Sequence, residues 1–302
     1  MGSPLTMSRM GDVLAGFHAA WEFESDSVLI RFERGIRTPK LFQALGERRI
    51  PLDAISEVTL TRGRRGTVVL HAVPRQGADP LMDAAAGQLR ESCDPYRLVL
   101  AAERETLAEY YADELRAMLP ADGDGTPAER CLVAPPQAPL RFKAYDGKAS
   151  FDGTSVSFRW SWTGASSAKW KAGDQRFTVD GLSGVEWRSP ELLEGHLRLL
   201  RREQGAGADP GQPAQADQDP AAVVFGLGYG PVHESLPFAA SVLAAVRAAG
   251  PAVTTAPGPE RQVRRDPADI AERIRHLGEL HQAGLVTDEE FSSKKAELLA
   301  EL

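Results

Sequence analysis

FESDSVLIRF (residues 23–32) and ERRIPLDAISEVTL (residues 47–60) return later in the chain as FDGTSVSFRW (residues 151–160) and DQRFTVDGLSGVEW (residues 174–187). The matched positions are Phe23 with Phe151, Val28 with Val156, Arg49 with Arg176, Asp53 with Asp180, and Val58 with Val185. The chain therefore contains the same unit twice. Residues that both copies share are expected to serve the fold, whereas a specific function is expected at residues that only one copy has.

The first copy reads as a series of strands that a helix closes. Apolar and polar residues alternate at 28–32, 50–52 and 58–60, as in half-buried strands, and 68–70 and 98–100 are two further β-rich runs. The period then changes to that of a helix with one apolar face. The sequence predicts that this face contains Leu107, Tyr110, Tyr111, Leu115 and Met118.

The second copy follows the same plan. Its closing helix is predicted around Phe238, Val242 and Val246, with Pro237 in the first turn and Gly250 at the end. Strands followed by a closing helix indicate an α+β fold. We predict two tandem domains at residues 11–119 and 139–250, with Pro- and Gly-containing loops or linkers at residues 120–130, 203–220 and 250–265.

The last part of the chain, residues 266–302, is predicted to form a helical hairpin. Asp266 caps the first helix, Gly284 ends it, and Thr287 with Glu290 forms a capping box for the second helix. Its apolar stripe consists of Ile270, Ile274, Leu277, Leu280, Phe291 and Leu298. A chain shorter than about 40 residues seldom buries enough surface to be stable alone. The stripe is therefore expected to pack on the repeats, on a second copy, or on another protein.

The composition limits the possible functions. The chain has 302 residues and a formal net charge of −7, which argues against nucleic acid as a partner, because such binding usually needs a basic surface. Cys93 and Cys131 are the only cysteines, so neither a disulfide framework nor a cysteine-based zinc motif is expected, and a reducing, cytoplasmic setting is the simplest expectation. No apolar run approaches the roughly 20 residues of a membrane-spanning helix.

Signatures of catalysis and cofactor binding are weak. The six histidines form no i, i+4 pair, so no metal site is predicted. Gly226, Gly228 and Gly230 precede Pro231 directly, which indicates a turn before a helix and not a dinucleotide site. We predict no catalytic residue, no metal and no cofactor. An enzyme with a site in the cleft between the repeats is kept as an alternative.

Asp53 and Asp180 are an acidic pair that occupies matched positions in a similar context in the two copies. Their similar context favours a role in turns, because aspartate often accepts hydrogen bonds from nearby backbone amides at the ends of strands.

The two copies differ most at one predicted hairpin tip. In the second copy Trp162 and Trp170 flank the stretch GASSA (residues 164–168), with Lys169 and Lys171 beside them. Such a mixture suits anionic groups, which lysine attracts, and surfaces that indole rings contact. The alternative is that the tryptophans belong to the core and the lysines to a solvated face.

The first copy has a basic loop at the equivalent position. Its cations are Arg34, Arg37 and Lys40. Charged runs usually belong to solvated surface, and that alternative stays open here. Together the two tips are the candidate ligand-binding residues of the chain.

Two resemblances follow from these segments. The string IAERIRHLGELHQAGLVTDEEFSSKKAELL (residues 270–299) resembles a SHOCT (short C-terminal) domain, for which an oligomerisation role is proposed. LGERRIPLDAISEV, GADPL, DPYRLVL and KWKAGDQRFTVDGLSGVEWRSPE resemble a bacterial family with two tandem copies of a domain similar to bacterial pleckstrin-homology (PH) domains. That family has no known activity, so the resemblance implies a fold and no mechanism. PH-like domains often meet phosphoinositides or peptides through the loop between their first strands.

We therefore predict a non-enzymatic cytoplasmic binding or scaffold protein. It is expected to associate with itself or to dock another protein through residues 266–302. The alternative is a peripheral adaptor that binds an anionic membrane surface through the basic tips.

Overall fold

The computed structural model describes residues 12–120, 126–202 and 215–250. In repeat one the strands are β1 (Asp12–Ala15), β2 (Ala19–Phe23), β3 (Ser27–Phe32), β4 (Glu47–Pro51), β5 (Ile55–Arg62), β6 (Thr67–Pro74) and β7 (Arg97–Ala101). The helices of repeat one are α1 (Lys40–Leu45), α2 (Pro80–Ala85) and α3 (Glu105–Met118). The predicted hairpin and its stripe lie outside the described residues, and this applies to Ile270, Ile274, Leu277, Leu280, Phe291 and Leu298.

Repeat two has the same order of strands. These are β8 (Leu140–Lys143), β9 (Gly147–Phe151), β10 (Ser155–Trp160), β11 (Gln175–Thr178), β12 (Leu182–Arg188), β13 (His196–Arg201) and β14 (Ala222–Val224). Its helices in the described residues are α4 (Ser167–Ala172) and α5 (Val232–Ala249). No helix among the described residues is both long enough and apolar enough to cross a bilayer.

Within the part of the chain that the structure describes, each repeat contains two antiparallel sheets, one of four strands and one of three. The α+β class predicted from the sequence is confirmed. The duplicated positions also share their register. Phe23 lies opposite Val28 across β2 and β3, and Phe151 lies opposite Val156 across β9 and β10. Asp53 and Asp180 both lie in short 3-10 turns between strands, where aspartate is favoured because its carboxylate accepts bonds from nearby backbone amides.

The buried face of α3 differs from the predicted one. Ala108, Tyr111, Ala112 and Leu115 are buried against the sheets, whereas the predicted core residues Leu107, Tyr110 and Met118 are exposed. The alanines allow the helix to lie close to the sheet, and Tyr111 stacks on Phe23 with ring centroids 4.3 Å apart. The prediction followed the large apolar residues of α3 and therefore missed the two alanines, which form half of the buried face.

The closing helix of repeat two begins earlier than predicted. It starts at Val232, so Pro237 is its sixth residue and not part of the first turn. Phe238 packs edge-on against Phe151 at 6.2 Å, as Tyr111 packs on Phe23 in repeat one. The two closing helices are therefore equivalent elements on equivalent sheets.

Helix α5 is apolar on nearly its whole circumference. A helix that is buried on one side only usually has a single apolar stripe, so this pattern indicates that α5 is buried on more than one side. Helices α3 and α5 can be aligned by matching Tyr111 with Phe238. In that alignment the outer residues of α5 are apolar where those of α3 are charged: Leu236 for Glu109, Ala240 for Asp113, and Leu243 for Arg116. Leu236 and Ala240 are fully buried. They are covered by repeat one, which contributes Leu41 of α1 and Leu81, Ala84 and Ala85 of α2 to the apolar cluster of repeat two.

Polar contacts surround this interface between the repeats. Arg247 donates to Asp83 at 2.5 Å. Gln88 donates to the carbonyl of Trp187 at 3.0 Å and accepts from the amide of Ser189 at 2.8 Å. The repeats therefore form one compact unit and not two separate bodies.

We expect Leu81→Ala to lower the free energy of unfolding by about 2–4 kcal/mol, because it removes a fully buried side chain from this interface. Urea unfolding followed by far-ultraviolet circular dichroism measures the change. Leu107→Ala, at an exposed position of α3, is the control and should change the free energy by about 0.5 kcal/mol or less. Equal effects of the two variants would contradict this account of the interface.

Candidate functional site

The tip of repeat two connects β10 to β11 and contains the short helix α4. Ser166 caps α4 by accepting a hydrogen bond from the amide of Lys169, so Lys169, Trp170 and Lys171 lie on a helix and not in a simple hairpin turn. The indole of Trp160 donates to the carbonyl of Gly173 at 2.7 Å. These two bonds hold the backbone of the tip at both ends of α4.

Trp162 and Trp170 are the outward side chains of this tip. Their rings meet edge to face at 5.3 Å with an angle of 71°. Trp162 is 84% exposed and Trp170 is 42% exposed, although large aromatic side chains are usually buried. Lys171 is exposed beside them. Two paired indole rings in water, next to a cation, form a surface suited to a ligand that is partly apolar and partly anionic.

Lys169 does not belong to this exposed surface, which corrects the sequence-based expectation. Its side chain is 0% exposed. The ammonium donates to Asp146 Oδ2 at 2.5 Å and to the carbonyl of Ala216 at 2.8 Å, and it lies 5.0 Å from the centre of the Trp160 ring. The physical reason is that the carboxylate, the carbonyl and the aromatic ring together replace the water that a buried ammonium loses.

The pKa values of this ion pair reflect its burial. Burial lowers the pKa of the Lys169 ammonium, and the negative charge of Asp146 opposes this effect. Burial also raises the pKa of the Asp146 carboxyl, with Lys169 opposing it. The second carboxylate oxygen of Asp146 accepts from the amide of Val224 at 3.0 Å. The pair therefore joins α4 to β14 through a single buried carboxylate.

Repeat one fills the same positions with other residues. The helices α1 and α4 correspond residue by residue, so Phe42 stands where repeat two has Lys169, and it stacks on Phe32 at 4.6 Å. His18 stands where repeat two has Asp146, because Phe17 and Tyr145 make the same backbone bond to β7 and β14 respectively. An apolar core under one tip is thus replaced by an ion pair under the other.

The tip of repeat one exposes all three predicted cations. Arg34 and Arg37 lie in the loop after β3, and Lys40 is the first residue of α1. None of the three has an ion-pair partner within residues 12–120, 126–202 and 215–250. Between the two arginines, Ile36 is fully exposed. The sequence analysis did not identify Ile36. The signal that could have found it is a single apolar residue in a basic loop that belongs to no helical or strand pattern.

Other places in the described residues offer less chemistry. No group of three or more histidine, cysteine, aspartate or glutamate side chains within them is placed to hold a metal ion. A small groove is lined by Ser56, Arg75, Gln76 and Thr126, but the guanidinium of Arg75 already donates to the carbonyls of Asp53 and Thr126. The region between the repeats, where the enzyme alternative requires a cleft, contains the packed side chains of α2 and α5.

The geometry defines a class of protein: a tandem repeat of one α+β domain, fused into a single body, with a distinct exposed tip on each copy. The chain belongs to the family described as domain of unknown function DUF4429, whose model matches twice, at residues 21–116 and 149–243. A short C-terminal domain (SHOCT) follows at residues 272–299. The tandem family and the C-terminal domain expected from the sequence are thereby confirmed. A comparison with curated proteins found no match.

Proposed function

We propose that this protein is a non-enzymatic adaptor that binds an anionic membrane surface through the tips of two PH-like domains. Seven strands in two sheets, followed by a closing helix in each repeat, support the PH-like description. Cys93 and Cys131 are free thiols, in keeping with a protein of the cytoplasm.

The observation that carries the proposal is the exposed Trp162–Trp170 pair. Tryptophan is enriched at the interface between membrane and water, where its ring contacts the acyl boundary and its N–H meets polar headgroups. Lys171 in repeat two and Arg34, Arg37 and Lys40 in repeat one supply positive charge beside apolar side chains. Each cation near an anionic bilayer contributes about 1 kcal/mol to binding.

Co-sedimentation with phosphatidylserine-containing vesicles tests this function. We expect the full chain to bind at low ionic strength and to be released by salt, because salt screens charges on an exposed surface. Vesicles of phosphatidylcholine alone are the control and should bind much less protein. Failure to bind the phosphatidylserine vesicles at low salt would contradict the membrane function.

We propose in addition that residues 266–302 join copies of the chain or dock a partner protein. The match to the short C-terminal domain supports this part of the proposal, together with the apolar stripe, which a hairpin of this length does not bury by itself. An adaptor that binds weakly through one copy gains avidity when several copies are linked.

Light scattering tests the assembly. The full chain is expected to scatter with the mass of two or more copies of the 32.7 kDa chain, whereas a version ending at Gly258 is expected to scatter as a single copy. Leu277→Asp and Leu298→Asp should each reduce the mass of the full chain toward one copy, because a charge in an apolar stripe is costly to bury. Gln282→Asp, outside the stripe, is the control and should keep the mass of the full chain. If the full chain has the mass of a monomer at every concentration, the proposal that the hairpin mediates self-association is contradicted.

A further inference from the structure

A second exposed element lies beside the tip of repeat two. The turn between β14 and α5 contains Leu227, which is 95% exposed, and is closed by a bridge between Gly226 and Tyr229. Gly228 and Gly230 adopt positive φ angles of 77° and 65°, a conformation that favours glycine. The three glycines predicted this turn from the sequence, and the structure adds that it projects the side chain of Leu227 into solvent.

The turn and the tip converge on Tyr145. A side chain at Gly164 of the tip would collide with the carbonyl of Tyr145, and one at Gly226 would lie 3.1 Å from the Cβ atom of Tyr145. The rings of Tyr145 and Tyr229 are 6.3 Å apart. Glycine therefore allows the segments that carry Trp162 and Leu227 to approach the same half-exposed tyrosine.

The tip of repeat one lies next to the same turn. Helix α1 packs on α5, with Leu41 in the apolar cluster that contains α5. Lys40, at the start of α1, is close enough to His233, at the start of α5, to add to the effect of burial in lowering the pKa of that imidazole. Because Pro231 connects the turn to α5, the start of α1 and the turn with Leu227 both lie near the start of α5.

The charge of these segments is mainly positive. Carboxylates beside them include Glu234, which pairs with His233 at 3.7 Å, and the exposed Asp217, whose backbone carbonyl accepts from Ser166 of the tip. Residues 33–40 contain three cations and only Glu33 as a carboxylate, and residues 226–233 contain no acidic residue. Residues 161–172 also contain no acidic residue and expose Lys171. Lys143, also exposed, lies over the ring of Tyr229 at 4.7 Å. In a chain with a net charge of −7, this concentration of positive charge distinguishes one surface.

We propose that the two tips and the turn at residues 226–230 form one continuous docking face for an anionic lipid bilayer, with Ile36, Trp162 and Leu227 entering the headgroup region together. This inference rests on the proposed function and extends it, because it assigns the turn to the site and makes both repeats contact the same bilayer. The interface between α2 and α5 fixes the spacing of the contacts. Because the two tips and the turn are parts of one body, they bind the bilayer together, and their contributions to the binding free energy add.

Vesicle partitioning of single and double variants tests the face. We expect Ile36→Ser and Leu227→Ser each to weaken binding to phosphatidylserine-containing vesicles by about three- to tenfold, because each removes an apolar side chain from the headgroup region. The double variant should weaken binding by about the product of the single losses. Leu107→Ser, an exposed leucine on α3, is the matched control and should bind like the unmodified chain.

The outcomes separate this inference from the function on which it rests. If the unmodified chain binds and Trp162→Ser weakens it while Ile36→Ser and Leu227→Ser do not, the continuous face is overturned and the membrane function stands. If the unmodified chain does not bind, the function itself is overturned. Ile36 and Leu227 lie outside the core, so thermal unfolding of their variants should match that of the unmodified chain, which excludes misfolding as the cause of a loss.

Discussion

Asp146→Ala is expected to lower the free energy of unfolding by about 3–5 kcal/mol, because it leaves the ammonium of Lys169 buried without the carboxylate to which it donates. The carboxylate of Asp146 also accepts from the amide of Val224 at 3.0 Å, and the variant loses this bond too. Urea unfolding near neutral pH, where the pair is intact, measures the change.

Two controls separate the buried pair from ion pairs in general. Asp174→Ala removes the exposed partner of Arg159, 3.4 Å away, and an exposed acceptor of the amide of Trp160 at 3.2 Å. It should change the free energy by about 1 kcal/mol. The double variant Asp146→His with Lys169→Phe installs the residues of repeat one and leaves no uncompensated charge, so it should be more stable than Asp146→Ala alone. An Asp146→Ala variant as stable as Asp174→Ala would contradict the account.

Asp79→Ala should destabilise the protein by a similar amount, about 3–5 kcal/mol, for a related reason. Asp79 is fully buried and accepts from Arg48 at 2.8 Å and from the hydroxyl of Tyr96 at 2.6 Å. It also caps α2 through the amide of Leu81 at 2.9 Å. Removing it leaves the buried guanidinium of Arg48 with the hydroxyl of Tyr96 at 3.1 Å but without a counter-charge, and it leaves α2 without its cap.

Tyr96→Phe is the matched control for this second network. Burial, together with the negative charge of Asp79, raises the pKa of Tyr96 well above its ordinary value, so the hydroxyl is neutral and donates to the carboxylate. The variant loses this donor and also the oxygen that accepts from Arg48 at 3.1 Å, which should cost about 1–3 kcal/mol. An Asp79→Ala variant that loses no more free energy of unfolding than Tyr96→Phe would contradict this account, because Asp79 would then not be needed to compensate the buried charge of Arg48.

The duplication made much of the fold predictable. Phe23 and Phe151, or Val28 and Val156, have the same apolar type because the same register buries them in both copies. The interface between the repeats was not predictable in this way. The interface depends on the outer face of α5, where Leu236 stands in place of Glu109 of α3. This difference becomes visible only after α3 and α5 have been aligned, and the structure provides that alignment.

The candidate site was predicted in part. Trp162 and Trp170 were identified because repeat one lacks them, and the structure places both at the surface. Lys169 was assigned to the same surface because lysine is rarely buried. Its partner Asp146 is 23 residues away in sequence, so the ion pair depends on a tertiary contact that no local pattern reveals. Ile36 and Leu227 were missed because single apolar residues in loops have no periodicity.

Tryptophan emission is the most direct test of the central claim, that the Trp162–Trp170 pair meets a lipid surface. The spectrum of a Trp162→Phe/Trp170→Phe variant, subtracted from that of the unmodified chain, removes the contributions of Trp21, Trp160 and Trp187. On adding phosphatidylserine-containing vesicles, we expect the difference spectrum to shift to shorter wavelength and to be quenched by brominated acyl chains, because the rings leave water for the interface. A difference spectrum that neither shifts nor is quenched at low salt would contradict the claim.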